Sequence, residues 1–421
     1  MKSMPVLLII GYVWPEPASS AAGRHMLEII QAMQQANWQI IFASPAAKGP
    51  YRLSLDSLHI EEHQIELNSD SFDDWISKLQ PDAVMFDRFM MEEQFGWRVA
   101  QTCPEAIRIL DTEDLHFLRK ARQQTLSKDG VLETELHGET ALREVASILR
   151  CDLTLMISEY EMQLLQDHYP VSANLLHYFP FVSHATNQVI NKVSEFERRQ
   201  DFVFVGTMRH APNIDAARYL KQALWPEISK RLPGVRLLLA GSYMTKEISQ
   251  MHKPQQGFHV MGYVKDLRSL LSASRVFLSP LRFGAGLKGK LIEAMEAGLP
   301  SVTTATGAEG ICAANSGQWP GRMAENTEQL IDAAVTLYQD KQAWDEAVNA
   351  GNSLLARRFS AEEHNLSLQR RMEHVLRKRD EIRRQNFVGR MLMHQTMRST
   401  EFMSRWIACK NRIKKQPLEG G

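Results

Sequence analysis

The chain has 421 residues, more than one ordinary hydrophobic core organises, so two domains are expected. A hydrophobic fraction of 44% beside 23% charged residues fits a soluble globular protein and excludes a fibrous or wholly disordered chain. The formal net charge is zero, so nothing in the global balance points to nucleic acid.

Val6–Ile10 is a short apolar run that reads as a first buried strand, too short for a membrane span or a signal segment. After the loop Gly11–Ala22, Met26, Ile29, Ile30 and Met33 fall at i, i+3, i+4 and i+7, which predicts an amphipathic helix. Gln39–Ala43, Ala83–Phe86, Ile107–Leu110 and Leu153–Ile157 are further strands, and Ser158 is placed to cap the helix that follows the last. Polar, charged sequence from Val182 to Gln200 reads as a linker. A second series then repeats the theme of strand and turn: Phe202–Val205 with Gly206, Leu237–Ala240 with Gly241, Val276–Leu278 with Ser279 and Pro280, and Ser301–Thr304. Strands alternating with helices predict α/β architecture in two doubly wound domains, with ligand at the carboxyl ends of the strands. The expected boundaries are 1–190, 200–365, and a basic helical extension over 366–421. From Arg370 onward Lys and Arg outnumber Asp and Glu by 14 to 5. In that tail Phe402 with Trp406, and Met403 with Ile407, are i, i+4 pairs beside Arg405, Lys410, Arg412, Lys414 and Lys415.

The four cysteines, Cys103, Cys151, Cys312 and Cys409, show neither metal spacing nor a disulfide framework. With no apolar window of membrane-spanning length, that predicts a reducing, cytoplasmic location.

The most informative stretch is Leu278 to Pro300, L-S-P-L-R-F-G-A-G-L-K-G-K-L-I-E-A-M-E-A-G-L-P. A buried strand runs into a loop with three glycines and two lysines, then into a short helix carrying Glu293. Glycines let backbone N–H groups approach an anion, and the helix N-terminus adds positive dipole. A carboxylate one turn into the helix can accept hydrogen bonds from sugar hydroxyls. The constellation suits a sugar nucleoside diphosphate. It is not a Walker sequence, because GK[ST] is absent.

The second half resembles the family-4 retaining glycosyltransferases of GT-B fold, in which two Rossmann-like domains face each other. The resemblance runs through Phe204–Asn213, Trp225–Ile228, Leu232–Gly241 and Met261–Asp266. The glycine–lysine loop, Glu293–Pro300 and Gly307–Gly310 complete it in the family's order. The first half matches more loosely, through Trp14–Arg24 and Ile157–Glu161. There are two departures. The family carries two glutamates with seven residues between them, and the first is Ala285 here. The lysine common near Asn213 is also missing, a charge that Arg209, Lys288 and Lys290 can supply.

The resemblance implies transfer of a sugar from a nucleotide-diphosphate donor, with retention at the anomeric carbon and no metal or other cofactor. The acceptor expected from family habit is a surface-polysaccharide or lipid-linked intermediate. Catalytic candidates are His116, Arg209 and Lys288. Donor-binding candidates are Gly23, Gly206, Tyr263, Val264, Gly284, Ala285, Gly286, Lys290 and Glu293. Each has a plainer reading. The lysines can be a solvated loop, Glu293 a complement to the helix dipole, His116 a satisfied structural histidine, Tyr263 and Val264 strand-end packing, and Gly23 a tight turn. Glu309 can touch the donor or water. Asp111 and Asp114 can be helix caps. Asp87 and Arg88 can line an acceptor cleft or pair with each other. The basic tail can lie on the anionic inner face of a membrane or pack against a partner. Three rival functions are a nucleotide-sugar epimerase, a non-catalytic sugar-nucleotide-binding or scaffolding subunit, and, least supported, nucleic-acid binding through the tail.

Overall fold

A computed structural model describes residues 4–127, 132, 136–184, 196–312 and 319–415, without the side chains of 395–398 and 412–415. Seven strands of the first half form one parallel sheet: β1 (Val6–Ile10), β2 (Gln39–Ser44), β3 (Glu61–Gln64), β4 (Ala83–Asp87), β5 (Ile107–Asp111), β6 (Leu153–Met156) and β7 (Leu176–Tyr178). Their spatial order is β3-β2-β1-β4-β5-β6-β7. β4, β5 and β6 are buried end to end, as strands of a parallel sheet covered on both faces must be. β3 is a polar edge strand, Glu-Glu-His-Gln, with no apolar run to mark it.

The helices of this domain are α1 (Ala21–Gln35), α2 (Ser71–Leu79), α3 (Phe89–Thr102), α4 (His116–Ser127), α5 (Glu139–Arg150) and α6 (Glu159–His168). Ser20 caps α1 by accepting from the Gly23 amide, and Met26, Ile29, Ile30 and Met33 are buried along one face, as their spacing requires. Ser158 caps α6.

The second sheet holds β8 (Gln200–Val205), β9 (Leu237–Ala240), β10 (Phe258–Gly262), β11 (Ser274–Ser279), β12 (Ser301–Thr303) and β13 (Gly321–Met323). Its order is β10-β9-β8-β11-β12-β13, again all parallel. Its helices are α7 (Ala211–Tyr219), α8 (Trp225–Arg231), α9 (Lys246–Gln250), α10 (Leu267–Ala273), α11 (Gly289–Glu296), α12 (Ala305–Ala308), α13 (Thr327–Gln339) and α14 (Lys341–Arg358). Strand order reverses between β1 and β4 in one sheet and between β8 and β11 in the other. Each reversal opens a crevice at the carboxyl ends of the strands.

Two long helices end the described chain, α15 (Ala361–Gln385) and α16 (Phe387–Lys415). Both return to the first domain. Leu368, Met372, Val375 and Ile382 of α15 join its core, and Gln369 Nε2 donates to the Ala32 carbonyl at 3.0 Å. Arg383 clasps both oxygens of Asp152 at 2.8 Å. Among the described residues no helix is long and apolar enough to cross a membrane. Most of the linker expected over 182–200 lies outside the described residues.

Candidate active site

A cavity of about 410 Å³ lies where the two crevices face each other. Its walls are strand-end segments: Val13–Pro15 and Ser19–Gly23 after β1, Asp87 and Arg88 at β4, and Glu113, Asp114 and His116 after β5. The second domain contributes Gly206 and Thr207 after β8, then Arg209, His210 and Asn213, Tyr243 after β9, and the loop Gly284–Lys290 after β11.

The glycine–lysine loop is shaped by contacts rather than left open. Gly286 has φ of 62°, and a Cβ there would stand 2.8 Å from Asp114 Cβ and 2.9 Å from Ile157 Cδ1, so only glycine fits. Lys288 is the residue before α11, and its Nζ donates back to the Gly286 carbonyl at 2.7 Å. Burial pulls the Lys288 ammonium down to about 8, against the opposing pull of Glu309. Lys290 Nζ holds both Glu293 oxygens at 2.9 Å.

The expected site residues separate into three groups. Gly23, His116, Gly206, Arg209, Gly284, Ala285, Lys288 and Lys290 all line the cavity. Tyr263 and Val264 line a small adjoining recess with Ser19, Gly206, Gly241 and Lys290. Gly286 and Glu293 line neither.

Several expectations are corrected. The Gly286 amide does not face an open anion site, because it donates to Glu161 at 2.7 Å. The Gly23 amide is likewise committed, to Ser20 Oγ at 3.0 Å; Gly23 is small because Glu16 backbone packs where a Cβ would be. Arg24 grips Glu296 across the cleft at 2.8 and 3.0 Å. Glu309 is held across the cleft, since Arg122 of α4 grips both its oxygens at 2.8 and 2.7 Å. Neither Asp111 nor Asp114 caps α4. The cap comes from Glu144, whose carboxylate accepts the amides of His116 at 3.1 Å and Phe117 at 2.9 Å.

Residues 199–340 match the family model described as Glycosyl transferases group 1. The decisive observation is that this match covers the sheet bearing the glycine–lysine loop. The second domain is therefore similar to the group 1 glycosyl transferases. Solved structures resemble most of the chain. HepE of Anabaena, in a complex with UDP and glucose, is 14% identical with a TM-score of 0.65, covering 88% of this chain and 100% of its own. Sucrose-phosphate synthase from Thermosynechococcus elongatus is 14% identical with a TM-score of 0.64, covering 89% and 99%. WaaG, a glycosyltransferase involved in lipopolysaccharide biosynthesis, is 14% identical with a TM-score of 0.56, covering 86% and 98%. At such identities the likeness is one of fold, and that fold is GT-B. No curated protein matches the chain.

The first-domain wall of the cavity is dense in charge. Arg88 and Glu113 both carry positive φ, 70° and 61°, two non-glycine strains at one wall of the cavity. Asp87 accepts the Tyr12 amide at 2.9 Å and stands 3.6 Å from Arg88 Nε, so Asp87 and Arg88 both line the cleft and face each other. Burial pushes Glu113 up to about 8, and nearby Asp111 adds to it. Burial disfavours charge on Asp114, but Arg119, His116 and His210 outweigh it and hold that carboxyl well below its usual range. His116 Nε2 lies 3.6 Å from Asp114, and burial still drives the imidazole down to about 3, so it is neutral at pH 7. Beside this wall, His25, Asp111 and Glu113 bring ligand-type atoms within 4.8 Å of one another, and neither Asp111 oxygen has a hydrogen-bond partner among the described residues.

At the other end of the cleft Arg209 lies over the Tyr243 ring at 3.6 Å, and Tyr243 donates to Glu16 of the first domain at 2.7 Å. Tyr51 of the first domain packs on Tyr263, ring centroids 4.5 Å apart. Sequence reasoning missed Glu161, Arg122, Glu144, Glu16 and Tyr51 as site-shaping residues. Ile157–Glu161 and Trp14–Arg24 carried a faint family signal for Glu161 and Glu16, and the other three had none.

Proposed function

We propose that the cleft moves a glycosyl group from a nucleoside-diphosphate sugar to a hydroxyl of a glycan or lipid-linked acceptor, with retention at the anomeric carbon. The observation that carries this reading is Lys288: a lysine largely withdrawn from water, at the mouth of α11, beside Gly284 and Ala285 and facing the cavity. In such a transfer the donor's anomeric C–O bond breaks and negative charge grows on the leaving diphosphate. The new bond forms from the acceptor oxygen, whose proton must leave. Fixed positive charge and N–H dipoles at the diphosphate contribute most to lowering that barrier.

Lys288, Arg209 and the N-terminal amides of α11 take this role. A bound diphosphate restores to Lys288 the partner that burial removed, and so keeps its proton. Lys290, positioned by Glu293, faces the ribose end, and Tyr263 and Val264 frame the base in the adjoining recess. Neutral His116 hydrogen-bonds a hydroxyl of the transferred sugar. In a front-face transfer the leaving phosphate takes the acceptor proton. Asp87, Arg88 and Glu113 meet the acceptor. Ala285, in place of the first glutamate, leaves the sugar to be gripped by other groups.

The HepE structure with UDP and glucose puts uridine nucleotides first for trial, and WaaG's role in lipopolysaccharide biosynthesis favours a surface glycan as acceptor. The test is thermal stability against UDP, GDP, ADP, CMP and their sugars. A ligand bound only by the folded state raises the melting temperature. A rise with one diphosphate, lost in Lys288→Ala, supports the reading. No rise with any of them, in folded protein, overturns it.

A further inference from the structure

We propose that the outer face of α16 docks the protein on an anionic bilayer surface. α16 is anchored along its inner face. Asn386 Nδ2, just before it, donates to the Leu149 carbonyl at 2.7 Å, and Gly389 lies so close to that carbonyl that a Cβ would overlap it. Further along, Arg98 donates to Ser404 Oγ at 3.0 Å, Gln101 donates to Glu401 at 2.8 Å, and Ala408 is buried. The helix is therefore fixed on α3 and α5 of the first domain, and its outward face is defined.

That face is apolar and aromatic where a soluble helix would be polar. Phe402 is 68% exposed, Met403 58% and Trp406 57%. Phe402 and Trp406 are one turn apart, so they project together. Cations frame them. Lys410 Nζ lies over the Trp406 ring at 4.3 Å, and Arg405 is exposed on the other side. Over Phe387–Lys415 the sequence holds seven basic residues and a single acid, Glu401. That acid is already bound, to Arg405 at 2.8 Å and to Gln101.

The charge selects the occupant. A second copy meeting this face by two-fold symmetry would set basic rim against basic rim, with Glu401, the helix's one acid, already engaged. An anionic headgroup layer supplies the missing negative charge, and its acyl boundary takes Phe402 and Trp406 while the cations stay at the phosphates. The docked domain is the one proposed to receive the acceptor, so a lipid-linked acceptor would be met at the surface where it resides. The inference does not depend on the donor, and its failure would leave the transferase reading intact.

Flotation of the full chain with vesicles tests it. The protein should float with phosphatidylcholine vesicles containing phosphatidylglycerol, stay behind with phosphatidylcholine alone, and be released by added salt. The double variant Phe402→Ser, Trp406→Ser should lose binding about tenfold or more. Its melting temperature should not change, because both side chains are solvent-exposed. Failure to float at low salt, or equal flotation of the double variant, would overturn the proposal. So would sedimentation showing a dimer that the double variant abolishes, or binding to RNA lost in that variant in place of vesicle binding.

Discussion

Glu161 of the first domain accepts the amide of Gly286 in the second, at 2.7 Å, while the same oxygen accepts the Leu115 amide at 3.3 Å. One carboxyl group thus ties the glycine–lysine loop to the segment that presents His116. Its other oxygen is buried without a hydrogen-bond partner among the described residues. Burial raises the Glu161 pKa to about 8, and Asp114 adds to the rise.

Glu161→Gln keeps the accepting oxygen and a neutral group, so transfer should stay within about threefold of wild type. Glu161→Ala leaves two buried amides unanswered, a cost of about 1–3 kcal/mol each, and should cut kcat/KM at least tenfold. The pH dependence gives a second check. A carboxyl with a raised folded pKa holds its proton in the folded state after the unfolded chain has lost it. Its contribution to stability is therefore lost as pH climbs from about 4.5 to about 8. The melting temperature of Glu161→Gln should fall less over that window than that of wild type. Equal slopes would contradict the assignment.

Lys288 is expected to leave a basic limb in the pH profile. Its pKa is lowered to about 8, so the charged form is present below that pH and lost above it. For the free enzyme kcat/KM should fall as pH rises through about 8. Lys288→Met should remove the limb and lower kcat/KM roughly 100-fold or more at neutral pH, the scale seen when a transition-state electrostatic partner is deleted.

Gly286→Ala places a methyl group against Asp114 and Ile157 of the other domain, at a backbone φ of 62°. The two domains can relieve the clash by parting. Activity should therefore fall much further than the melting temperature. Scattering should show a larger radius of gyration for this variant, and an unchanged radius with full activity would contradict the contact.

Much of this arrangement was legible in the sequence because it is local. The strands β1, β4, β5 and β8 announce themselves as apolar runs, and Gly206 and the glycine–lysine loop follow strands directly. Positive φ and a helix start are properties of neighbours in sequence. The clasps across the cleft are not. Glu161 and Gly286 are 125 residues apart, and Arg122 and Glu309 are 187 apart. No periodicity encodes which carboxylate meets which cation once two domains close. The same reason hid the α4 cap, since Glu144 reaches His116 from another helix. β3 was invisible because its four residues are polar. The tail was read as basic and amphipathic, but only packing reveals that α15 contributes Leu368 and Met372 to the first domain's core.

Arg122 and Glu309 form a two-pronged, mostly buried ion pair between the domains. Arg122→Met leaves Glu309 without its partner next to Lys288. The variant should lose about 1–3 kcal/mol of stability, measured by urea unfolding. It should also raise the donor KM more than it lowers kcat, because closure and not chemistry is impaired. A loss confined to kcat would contradict this division.

The cavity at Lys288 is proposed to hold the diphosphate of a sugar nucleotide. Isothermal titration of wild-type protein and Lys288→Ala with UDP, GDP and ADP tests it most directly. One diphosphate should bind the wild type and lose at least about tenfold in affinity in the variant, as expected when a charged hydrogen-bond partner is removed. Equal affinity in both proteins, or no binding of any of the three by folded wild type, would contradict the account.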